Sequence, residues 1–106
     1  MNDTVINSTD LKIEVLRIKK TALILRAINH KLRQQILKLV EEQGKITVTE
    51  LYLTLILEQS VASQHLAILR KAGFVNTSRD GKFIYYSVNH DRLEELNKFM
   101  NDLLKL

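Results

Sequence analysis

An all-α chain carrying one small β-hairpin is the fold class this sequence predicts. Three observations lead there. Apolar residues recur at spacings of three and four through most of the chain. From about residue 75 to residue 88 that period gives way to two, around an Asp80–Gly81 pair. The 106 residues hold three glycines and no proline, so helices meet few breaks. With 45% apolar and 26% charged residues, enough apolar surface exists to offset the entropy of ordering. The expected layout is α-α-α-α-β-β-α with about five helices, one domain over residues 9–106 and a flexible tail at 1–8.

Ser8 or Thr9 is expected to cap the first helix, about Asp10 to Ile28, with Asp10 in the favoured first turn. Leu11, Val15, Ile18, Ala22 and Leu25 draw one stripe along it. Ile13, Leu16, Leu23, Ile24 and Ile28 lie off that stripe, so the helix is apolar on more than one side. A small domain offers one core, and the second face is expected to meet another subunit. Asn29 should cap the second helix, about His30 to Gln43, which Gly44 stops. Leu32, Ile36, Leu39 and Val40 point inward on it, and Lys31, Arg33 and Lys38 are assigned outward. Thr47 and Glu50 have the spacing of a capping box, opening a short third helix over about Val48–Ile56 with Leu51 and Leu55 inward.

The fourth helix starts near Gln59 or Ser60 and ends at Gly73. Ala62, Leu66 and Leu69 face the core, while Ser60, Val61, Ser63, Gln64 and Ala67 form the opposite edge. Then Val75, Thr77, Ile84, Tyr86 and Val88 alternate with polar or outward residues. An Asp80–Gly81 turn would set Arg79 opposite Lys82, Thr77 opposite Ile84 and Val75 opposite Tyr86. Asn89 should cap a last helix, about His90–Leu104. Its stripe is Leu93, Leu96, Met100 and Leu103, widened by Phe99 and Leu104. The two stripes of the first and last helices are the candidate dimer interface.

The chemistry follows from this order. The third and fourth helices, joined by about three residues, read as a helix-turn-helix, and the hairpin after them as a wing. Lys and Arg exceed Asp and Glu by 16 to 12, a formal charge of +4, which suits a polyanionic partner but also an ordinary soluble surface. From Gln59 to Arg79 there is no carboxylate to repel phosphates. Gln64 can pair with an adenine edge, Ser63 with a base or phosphate, and Val61 with a thymine methyl. Gln59 and Ser60, at the helix start, suit phosphate anchoring, as do Arg79 and Lys82 on the hairpin tip; His65 and Lys71 are lesser candidates. The expected partner is a near-palindromic duplex, met by a homodimer in successive major grooves about 34 Å apart.

The stretch from Leu25 to Val88 resembles the ArsR-type winged-helix repressors. The matching segments are LRAINHKLRQQILKLV (25–40), VTELYLTLILEQSVASQHLAILRKAGFV (48–75) and RDGKFIYYSV (79–88). The run QSVASQHLAILRKAGFV is close to that family's recognition helix and its exit. The resemblance implies a helical core with a β-wing, a homodimer, and a repressor that leaves its operator when a signal binds. Many members sense metals, and here their ligands are missing. The family's thiolate pair falls on Tyr52 and Thr54 of Glu50-Leu51-Tyr52-Leu53-Thr54. Its other site falls on His90-Asp91-Arg92 and near Leu103 and Leu106, where an arginine and two leucines offer zinc no donor.

Other chemistries find little support. The chain has no cysteine, which excludes disulfides, Cys-ligated zinc and a thiolate nucleophile. His30, His65 and His90 lack ligand spacing, and His90 with Glu94 reads as a surface pair. Gly44, Gly73 and Gly81 make no phosphate-cradling loop, and no nucleophile–base–oxyanion constellation marks an enzyme. No cofactor and no metal are expected. No uncharged apolar run approaches the roughly 18 residues of a membrane span, and Met1–Asp10 is not a signal peptide, so a cytoplasmic setting is expected. Two rival readings remain: a winged helix that binds a protein, and a sensor of an unrecognised metal or small ligand.

Overall fold

The computed structural model describes residues 5–8 and 11–105. Their elements are β1 (Val5–Ser8), β2 (Leu11–Glu14), α1 (Val15–Ile28), α2 (Lys31–Gln43) and α3 (Val48–Leu55). Then follow α4 (Gln59–Lys71), β3 (Val75–Asp80), β4 (Phe83–Val88) and α5 (His90–Leu104). Five helices and a small antiparallel hairpin after the fourth make a winged helix-turn-helix.

The amino-terminal segment departs from the sequence reading. The first helix begins at Val15, not near Asp10, and Val5–Ser8, expected as tail, pair antiparallel with Leu11–Glu14. Leu11 and Ile13 alternate with Lys12 and Glu14, a period of two that favours a strand. Of the caps expected at Ser8 or Thr9, Ser8 instead ends β1 opposite Leu11, while Thr9 and the first-turn Asp10 lie outside the described residues.

The core forms where the inward faces of α2, α3 and α4 meet the base of the wing. Ile36, Val40, Leu51, Leu66, Leu69 and Phe74 are its largest fully buried side chains. Thr47 caps α3 in a complete capping box: its hydroxyl accepts from the Glu50 N–H at 3.2 Å, and Glu50 accepts from the Thr47 N–H at 3.0 Å. The Thr47 N–H and the Thr47 hydroxyl, which also donates to Glu50 Oε1 at 3.0 Å, hold the Glu50 carboxyl below its ordinary pKa. Ile46 exchanges two backbone hydrogen bonds with Tyr86, which ties the wing to the residue before α3.

The end of α4 is a Schellman motif. The Phe74 N–H donates to the Leu69 carbonyl at 2.9 Å and the Gly73 N–H to Arg70 at 3.0 Å. Gly73 sits at φ +88, where a side chain is strained, and a Cβ there would lie 3.0 Å from Arg92 Nε. Arg92 Nε in turn donates to the Ala72 carbonyl at 2.9 Å, and Asn89 Nδ2 to the Gly73 carbonyl at 2.9 Å. The start of α5 is thereby bolted to the end of α4. His90 completes the seat by bonding Glu41 of α2 at 2.7 Å, not Glu94.

Two further expectations change. His30, not Asn29, caps α2, its Nδ1 accepting from the Arg33 N–H at 3.5 Å; Asn29 closes α1 instead. Arg33, assigned outward, is buried with 8% of its surface exposed. Its Nε donates to the Ala27 carbonyl at 2.8 Å and its Nη2 to the Arg26 carbonyl at 3.3 Å. Those carbonyls belong to the last turn of α1, which has no partners within the helix and draws a cation.

Candidate nucleic-acid interface

The helix-turn-helix places α4 so that Ala62, Leu66 and Leu69 are buried. At about 100° per residue the opposite edge is Ser60, Gln64, Ala67 and Lys71, with Ser63 on its flank. All five are exposed, as is Gln59 at the first turn. No acidic residue lies within α4, although Glu58 precedes it at the N-cap without a side-chain capping bond. Val61 is half-buried and stands at the margin of the exposed edge.

His65 turns away from that edge. It is half-buried, its ring 5.0 Å from that of His30 and its Nδ1 3.4 Å from Arg33 Nη1. An arginine only donates, so this contact requires His65 Nδ1 to accept, as in the neutral ring. Burial first, then the nearby His30 and the Arg33 charge, push the His65 pKa below its ordinary 6.5. A histidine depressed in the folded state binds more protons unfolded. Its contribution to stability is therefore complete above about pH 6.5 and is lost as pH falls from there toward the lower folded value. Denaturant unfolding at pH 7.5 and 5.5 should show this loss in the wild type and a smaller one in His65→Gln. Equal losses would remove His65 from the account of acid sensitivity.

The wing carries the two basic tip residues as expected, in a different register. Asp80 pairs with Phe83, Arg79 with Ile84, Thr77 with Tyr86 and Val75 with Val88. The loop is Gly81–Lys82, with Gly81 at φ +62 and Lys82 at negative φ, the pattern of a turn with glycine first. Arg79 and Lys82 therefore are not a cross-strand pair. Both are exposed near the tip; Arg79 Nε donates to the Gly81 carbonyl at 3.2 Å, and Lys82 Nζ lies 5.5 Å from the Phe83 ring centre. A six-residue strand carries this tip about 17 Å from the buried Val75. Lys45, which the sequence reading did not single out, adds a cation beside the wing, its Nζ 4.6 Å over the Tyr85 ring. Its sequence position before α3 gave no hint of that contact.

The candidate dimer residues divide into two groups. Val15, Ala22, Leu93, Leu96 and Met100 are half-buried, and Leu93 and Leu96 pack on the protomer's own core. Ile18 and Leu103 stand open, 52% and 65% exposed. The Leu11 side chain lies outside the described residues. Among the described residues no three His, Cys, Asp or Glu side chains converge into a metal-holding group, and no helix is long and apolar enough to cross a membrane.

Known proteins match this arrangement. The family model described as "Bacterial regulatory protein, arsR family" matches residues 30–77, from the cap of α2 to the first half of β3. An uncharacterised HTH-type transcriptional regulator of Methanocaldococcus jannaschii is 34% identical over 87 residues, 82% of this chain and 98% of that protein. The transcriptional repressor PagR of Bacillus anthracis is 32% identical over 94 residues, 89% of this chain and 94% of the relative. Its crystal structure superposes with a TM-score of 0.64, over 83% of this chain and all of that one. Reduced HlyU of Vibrio cholerae gives a TM-score of 0.63 at 31% identity, over 83% and 92% of the two chains. Fold, sequence and the exposed, acid-free edge of α4 agree: the chain belongs to the ArsR family of winged helix-turn-helix, DNA-binding transcriptional regulators.

Proposed function

We propose that this chain is a homodimeric repressor that reads a near-palindromic operator with two copies of α4. The observation that supports it best is the outer edge of α4, where Ser60, Ser63, Gln64, Ala67 and Lys71 are exposed and no carboxylate intervenes. Small and amide side chains let a helix approach base edges closely, and Gln64 has the donor–acceptor pair that matches adenine. Ser63 and Val61 flank that contact. Gln59, Ser60, Arg79 and Lys82 anchor phosphates, with Lys71 as a secondary contact; His65, turned toward His30 and Arg33, is not among them. Two copies carry a formal +8 (2 × +4), so affinity should fall steeply with salt. The names of relatives include both a repressor, PagR, and an activator, HlyU. Repression is the reading we adopt, because a dimer seated on an operator blocks polymerase without further contacts. Tyr52, Thr54, Arg92 and Leu103 at the family's ligand positions support a regulator that does not use the usual metal sites.

Selection of bound duplexes from a random pool tests this directly. On the selected site Gln64→Ala should cost about 1–3 kcal/mol, with little change on random DNA. Equal weakening on both would end the base-reading role. Lys82→Ala should weaken binding to every sequence and lower the salt slope by about one. A wild-type slope would remove the wing from the contact set.

A further inference from the structure

A groove of about 460 Å³ runs between α1 and the end of α4, off the proposed dimer stripe and sharing only Lys71 with the proposed DNA edge. Leu23, Ile24, Ala27, Ile68 and Ala72 give it an apolar floor. Around that floor stand Lys20, Arg26, Arg33, Lys71 and Arg92, with no aspartate or glutamate lining it. Arg33 is the telling member. It is 8% exposed and, among the described residues, has no carboxylate within ion-pair distance; it leans on backbone carbonyls and the His65 ring. A buried cation without an acidic partner is costly, and an anion placed beside it would supply the missing charge. Arg92 has its own partner, Glu95 at 3.5 Å, which lines the neighbouring cleft instead.

A second copy of the chain is a poor occupant. At about 100° per residue, Leu23, Ala27 and Lys20 lie on the flank of α1 opposite the Ile18–Ala22 stripe. What suits a greasy floor ringed by five cations is one molecule with an apolar body and a negative head. We propose that this groove binds an amphipathic carboxylate, with its chain on Leu23, Ile24 and Ile68 and its head group at Arg33. The volume falls within the range of small-ligand sites. The groove touches both α1 and α4, so an occupant would bear on the recognition helix, where His65 already contacts Arg33.

Decanoate is the probe, titrated by calorimetry into the full chain without DNA, so that failure here leaves the DNA reading untouched. The expected Kd is on the order of 10–100 µM. Each methylene removed from the chain should weaken binding about fourfold. Decyltrimethylammonium, with the same chain and the opposite charge, should not bind. Leu23 is 58% exposed and outside the DNA and dimer sets, so Leu23→Glu should fold and retard DNA as the wild type does. Its carboxylate would occupy the cationic groove and weaken decanoate at least tenfold. Methyl resonances of Leu23, Ile24 and Ile68 should shift on titration. The proposal is overturned if decanoate gives no binding below about ten times the expected range, or if decyltrimethylammonium binds equally. It is also overturned if Leu23→Glu binds decanoate as tightly as the wild type, or if the shifts fall on the Ile18–Leu103 face instead.

Discussion

Phe74→Ala is expected to remove about 3–5 kcal/mol of folding stability, the usual cost of hollowing an aromatic site in a packed core. Phe74 is fully buried, and it closes the Schellman motif that ends α4. Its carbonyl also accepts the Asn89 N–H at 2.9 Å, so it lies where α4, the wing and α5 are joined. Domains of this size hold about 5–15 kcal/mol in all, and the loss should lower Tm by about 15 °C or more. Phe83→Ala is the control. Phe83 is half-exposed on the wing and should change stability by no more than about 0.5 kcal/mol. Calorimetry of both variants at one protomer concentration settles the matter. A drop for Phe74→Ala no larger than that for Phe83→Ala would mean that the junction is not where the core is anchored.

The second large effect is expected from the double variant Ile18→Glu, Leu103→Glu. No residue of α5 is fully buried within the protomer although the helix bears an apolar stripe, and both Ile18 and Leu103 stand open. Two carboxylates on that surface should leave the chain monomeric in sedimentation. Operator affinity should fall by about 100-fold or more, because the second half-site is no longer held at high effective concentration. These positions are better probes than Leu96, which packs on the protomer's own core and whose loss would confuse unfolding with dissociation. The helical content should stay that of the wild type. A variant that still sediments as a dimer would move the interface elsewhere.

Most of the fold was legible because local signals agreed. For α3 a capping box and for α5 an Asn cap mark the starts, and glycines mark the ends of α2 and α4. The wing register was misread by two positions, since Asp80–Gly81 and Gly81–Lys82 both form two-residue loops. A shift of two keeps every side chain on its face, so the assignment of inner and outer residues was unaffected. The turn into α4 passes through Ile56 at φ +55, a conformation that a β-branched residue rarely adopts and that no sequence rule flags. Arg33 sits at helical spacing with Ile36 and Val40, and the period alone would place it inward. Its charge argued otherwise, and only the neighbouring carbonyls of α1 explain its burial. His65 joins Arg33 from 32 positions away and packs beside His30 from still farther, a separation that periodicity does not reach.

Methylation interference on the selected duplex tests the central claim most directly, since guanine N7 lies in the major groove. If α4 enters that groove from each half of a dimer, interference should fall in two patches centred about 10–10.5 base pairs apart. The Gln64→Ala variant should lose discrimination within both patches. A single patch, or interference confined to adenine N3 in the minor groove, would contradict the placement of α4 against the bases.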